Sequence, residues 1–90
     1  MSIEGRAIQL HGKVQQVGFR YYVYRLASEL GVKGFVKNLP DGTVLIEAEC
    51  ENHTMDVFIE HCKKGAPQSI VSKCESTLIV VKNYIDFKII

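Results

Sequence analysis

An α+β sandwich, with two helices on one face of a mainly antiparallel sheet, is the architecture that three features of this sequence predict. Apolar residues switch between alternating and helical spacing in the order βαββαβ, with a short extra strand at the end. A Pro40-Asp41-Gly42 turn separates two alternating runs; proline presets φ and glycine accepts positive φ, as a β-hairpin requires. The chain has 90 residues, 47% of them hydrophobic, enough for one small core, so residues 1–90 are expected to form a single domain.

The first strand is predicted over residues 6–11, where Ile8 and Leu10 alternate with Gln9 and His11. Phe19, Tyr22, Val23, Leu26, Ala27 and Leu30 then recur at helical spacing, and Gly31 is the natural stop of a helix over residues 20–30. In the second arm of the hairpin, Val44, Ile46, Ala48 and Cys50 point one way, while Glu47 and Glu49 point the other and, with Glu51 at the strand's exit, read as a solvated acidic row. Asn52 is the expected cap of a second helix with Met55, Phe58, Ile59 and Cys62 as its buried stripe. Gly65 ends that helix and Pro67 forbids its continuation. Residues 69–81 are rich in β-branched side chains and are predicted as the fourth strand, and residues 84–90 as a short terminal one.

This order is the ferredoxin-like, split-βαβ plan. In it the first and second strands run parallel, joined by a right-handed crossover, with the third strand between them. Their C-terminal ends meet at one edge of the sheet, so the loop at residues 13–19 and Asn38 become neighbours.

Bulk properties narrow the function. The net charge is +1 with no strongly basic stretch, so nucleic acid binding by bulk electrostatics is not expected. RNA-recognition modules share the element order but carry aromatics on their central strands, where this chain offers Gln9, His11, Leu45, Glu47 and Glu49. No apolar run has the length of a membrane span, and no signal-peptide pattern opens the chain; a cytoplasmic, monomeric protein is the expectation. Cys50, Cys62 and Cys74 form neither an even set nor a C-x-x-C pair and read as small hydrophobes in a reducing compartment. His11, His53 and His61 follow no zinc-ligand spacing, so neither metal nor cofactor is expected.

The chemistry is sought in "GKVQQVGFR", residues 12–20. A strand-to-helix loop aims backbone N–H groups at one point, and the helix beyond adds its positive end. Arg20 falls in the first helical turn, where the dipole disfavours a cation, so a bound anion would account for it. Its planar fork suits a phosphoryl group, and Gly18 lets the chain approach closely. Taken alone, the stretch reads more simply as a glycine-assisted turn with a solvated arginine.

Gly12, Val14, Gln15, Val17, Phe19 and Arg20, followed by Leu30, Gly31, Gly34, Phe35, Val36, Asn38, Asp41, Gly42, Thr43 and Val44, give the chain a wider pattern. Together these two spaced blocks resemble the signature of the acylphosphatase family, and the resemblance covers essentially the whole sequence. It implies hydrolysis of an acyl phosphate to a carboxylate and inorganic phosphate, the latter as product or inhibitor. It also implies Arg20 as the phosphate-binding arginine, Asn38 as the residue that orients the attacking water, and a cradle of amides from Gln15, Gln16, Val17, Gly18, Phe19 and Arg20. Thr43 is a supporting candidate, able to bond to Asn38 and set its orientation.

Two places depart from the family pattern: Ala66-Pro67 lacks a second proline after Gly65, which affects only a loop, and Gln16 stands where glycine is usual, in the centre of the cradle. A positive φ there would cost a glutamine about 1 kcal/mol. The resulting alternative is an acylphosphatase-like domain that binds anions or a partner with little or no turnover.

Overall fold

The computed structural model describes residues 2–90. Seven elements follow in chain order: β1 (Ile3–Lys13), α1 (Phe19–Leu30), β2 (Lys33–Asn38), β3 (Val44–Glu51), α2 (Asn52–Lys64), β4 (Ile70–Ile79) and β5 (Phe87–Ile89). The strands form one sheet in the order β4-β1-β3-β2-β5. All neighbours are antiparallel except β2 and β5, which run parallel. The fold is therefore α+β and ferredoxin-like, with the extra strand added outside β2.

Alternation decides the two faces. Ile8, Leu10, Val36, Val44, Ile46 and Ala48 are fully buried and meet Phe19, Val23 and Ala27 from α1 and Met55, Phe58 and Cys62 from α2. Tyr22, Leu26 and Leu30 flank that core half-buried, so the apolar stripe read from the sequence is the packed side of α1. Gly34 lies in β2 with φ 140°, and a Cβ there would collide with the Glu47 carbonyl of β3. Only glycine lets the two central strands approach this closely.

Four expectations about boundaries are corrected. The first strand runs from Ile3 to Lys13 rather than over residues 6–11, because it is laddered to β3 on one side and β4 on the other. Asn52 is the first helical residue of α2, not its cap; Glu51 takes that place with extended backbone because it is still paired to Ile3. The fourth strand ends at Ile79, where pairing to Gly5 stops, and the last strand is only Phe87–Ile89.

The fourth correction concerns what lies between them. Residues 80–86 lead from one edge strand to the other across the sheet face opposite the helices. Glu49, 4% exposed, accepts backbone N–H groups from Lys82 and Tyr84. Glu47 accepts the Lys82 ammonium at 2.8 Å and the Tyr84 hydroxyl at 2.7 Å, and the Tyr84 ring meets Phe35 edge-on. Glu47 and Glu49 thus fasten this strap instead of forming a solvated surface, while Glu51 pairs with His53.

Candidate active site

Register places the site. Leu10 of β1 pairs with Val44 of β3, and Val44 pairs with Asn38 of β2, so the exit of β1 and the end of β2 lie on one rim of the sheet. The loop from Val14 to Gly18 leaves that rim and turns into α1. Gln16 has φ 62° and Gly18 φ 76°, two left-handed residues that curl the chain over the start of the helix. Gly18 is itself the residue that opens α1, and no side chain caps the helix there among the described residues. No acidic residue occupies its first turn. The first amides of α1 are thus left to another acceptor.

A cavity of about 200 Å³ lies at this point, lined by Val14, Gln16, Gly18, Phe19, Arg20, Tyr21, Asn38 and Ile89. Arg20 and Asn38, 18 positions apart by their numbers, share it. Arg20 Nη1 donates to the Ile90 carbonyl at 3.3 Å, which leaves the rest of its five-donor fork unengaged by that bond. Asn38 Oδ1 is buried and accepts no hydrogen bond from the described residues. A buried acceptor without a donor is costly, and it finds relief in a ligand or water that donates to it.

The remaining candidates fall as follows. Val17 lines a larger groove along α1, Gly18 lines both that groove and the cavity, and Phe19, buried in the core, forms part of the cavity wall. Thr43 does not bond to Asn38. Its hydroxyl donates to Asp41 Oδ1 at 2.6 Å and accepts from Gln9 Nε2 at 2.9 Å, because Asp41 turns back on the hairpin and claims it. That bond, with a second from the Thr43 amide, holds the Asp41 carboxyl below its ordinary range. The three histidines sit apart: His11 pairs with Glu75 of β4, His53 with Glu51, and His61 offers its carbonyl to Tyr22.

A family model described as acylphosphatase matches residues 6–89. The chain belongs to the acylphosphatase family. Among curated relatives, an acylphosphatase of Archaeoglobus fulgidus is 46% identical over 82 residues, 91% of this chain and 92% of that one. One of Thermotoga maritima is 40% identical over 82 residues, covering 91% of each. Among solved structures, the acylphosphatase of Bacillus subtilis superposes with a TM-score of 0.92 at 36% identity, covering 99% of both chains.

Within this acylphosphatase fold, one important contact escaped the sequence. The sequence pattern points to Gln15 only through its backbone amide, yet its side chain donates from Nε2 to the carbonyls of Leu39 at 2.8 Å and Thr43 at 2.9 Å. It clasps the loop to the β2–β3 turn, and so sets the loop against Asn38. No local pattern announces a bond across 24 positions. Tyr21 and Ile89, which complete the cavity wall, carry no signal either.

Proposed function

We propose that this protein is an acylphosphatase that hydrolyses the carboxyl–phosphate bond of a small acyl phosphate by in-line attack of water. The observation that carries the reading is the convergence of Arg20, Asn38 and the uncapped start of α1 on one cavity. The substrate's phosphoryl group sits against the amides of residues 15–20, with Arg20 in two-point contact with its oxygens. These donors are oriented before reaction, where charge gathers on the equatorial oxygens, and that preorganisation is the main source of rate. Asn38 accepts a hydrogen bond from the attacking water through the Oδ1 that no protein donor reaches, and holds it in line.

No protein base or nucleophile is required. The leaving carboxylate has a conjugate acid of pKa about 4 and departs unprotonated. A phosphoryl oxygen accepts the proton of the attacking water. The left-handed backbone of Gln16 keeps the cradle's curl despite the missing glycine. The free thiols of Cys50, Cys62 and Cys74 suit a reducing compartment such as the cytoplasm, and the protein acts as a monomer on a small molecule.

Phosphate release from acetyl and benzoyl phosphate tests the proposal. Arg20→Ala and Asn38→Ala are each expected to lower kcat/KM by roughly 10²- to 10³-fold, the cost of removing one preorganised group, with folding intact by circular dichroism. Inorganic phosphate is expected to inhibit competitively. Phosphate binding without hydrolysis above the Arg20→Ala level would establish the non-catalytic alternative instead.

A further inference from the structure

A second concavity, of about 700 Å³, runs along α1 beside His61 of α2 and residues 66–68. Val17 and Gly18 form its upper end, Tyr21, Tyr22 and Leu26 one wall, and Pro67 part of the other. Two hydrogen bonds distinguish the flanks of α1. Arg20 donates to Ile90, beside β5, while Tyr22, about 200° further round the helix, donates to the His61 carbonyl of α2 at 2.9 Å. Tyr21 lies between them facing outward, 60% exposed. Gly18 has open space where a side chain would stand. Gly18 and Tyr21 line both the small cavity and the groove, so the two adjoin at the start of α1, where Gly18 adds no side chain.

The stereochemistry of displacement decides what the groove receives. Water and leaving oxygen stand on opposite sides of phosphorus in an in-line transfer. Asn38 and Ile89 wall the cavity on the β2–β5 flank of α1. Water held there directs the acyl oxygen toward the opposite flank, where α2 lies. We infer that the groove along α1 receives the acyl moiety of the substrate and favours acyl groups with an extended apolar or aromatic body. The inference rests on the roles given above to Arg20 and Asn38. Its chemistry comes from the walls: tyrosine rings, Leu26 and Pro67 take up apolar carbon, and the volume lies within the range of small-molecule sites.

The experiment is a series of initial rates on the full chain with acetyl, butyryl, hexanoyl and benzoyl phosphate. KM is expected to fall roughly two- to fourfold for each methylene that enters the groove, so hexanoyl exceeds acetyl phosphate in kcat/KM by tenfold or more. Tyr21→Ala and Pro67→Asp, on opposite walls, are each expected to cut the hexanoyl-to-acetyl ratio by roughly fivefold, while Tyr21→Phe retains it. A flat kcat/KM across the series, or a ratio unmoved in both variants, overturns the groove and leaves acyl phosphate hydrolysis standing. Failure to hydrolyse any of the four overturns the function and the groove together.

Discussion

Gln16 carries a β-carbon at φ 62°, where most side chains meet the backbone unfavourably, and its carboxamide lines the cavity without a hydrogen bond of its own among the described residues. Gln16→Gly is expected to relieve strain and stabilise the fold by about 1 kcal/mol, less the extra freedom glycine gains when unfolded. Urea unfolding with an unchanged m-value checks it; a loss of stability would mean that the glutamine contributes contacts of its own. Gln15 behaves oppositely. Gln15→Ala leaves the Leu39 and Thr43 carbonyls without this donor and is expected to cost about 1–3 kcal/mol. Because it loosens the loop against Asn38, kcat is expected to fall more than KM rises. The two neighbours differ in legibility for a physical reason. Strain at Gln16 is a property of its own backbone, so a missing glycine announces it. The clasp at Gln15 exists only once β1 and the hairpin share a rim.

Among elements, the strap over residues 80–86 is the one whose physics the sequence concealed. Alternation in residues 84–90 predicted a seven-residue strand, but Ile85 stands 85% exposed and only Phe87–Ile89 pairs with β2. An alternating pattern states which residues alternate, not whether a neighbouring strand is within reach. Glu49→Gln removes a charged acceptor from two backbone amides and is expected to destabilise by about 2 kcal/mol. For Glu47, burial pushes the carboxyl pKa up, but hydrogen bonds from Lys82 and Tyr84 outweigh it and the net pKa lies below the ordinary value. Its contribution is therefore complete above the unfolded carboxylate pKa of about 4.3 and is lost as pH falls through the lower folded value. The protection of amides in residues 80–86, relative to their intrinsic exchange rates, is expected to fall in that acid range, and to lose this pH step in Glu47→Gln.

For the molecule as a whole, element order and the helix-facing core were readable because helical and strand periodicities are local and the rules of connection are few. Phe58 joins the layers: fully buried on α2, it meets Phe87 of β5 edge-on with ring centroids 6.4 Å apart. Phe58→Ala is expected to cost about 3–5 kcal/mol, much of what holds a small domain folded. The thiols supply the readout. Burial pushes the Cys50 thiol up to about 11, with Glu4 and Glu51 adding to it, and burial likewise pushes Cys62 far up. At pH 8 Cys62 is expected to react with an aromatic disulfide reagent only through unfolding, and roughly a hundred- to several thousandfold faster in Phe58→Ala.

The Ile90 carbonyl that receives the Arg20 guanidinium lies 70 positions beyond it, and Ile89 walls the same cavity. A ribosome adding about 5–20 residues per second leaves the arginine waiting several seconds for that partner. During synthesis, then, a nascent chain that has already formed α1 and the hairpin still lacks one wall of the small cavity until β5 pairs with β2.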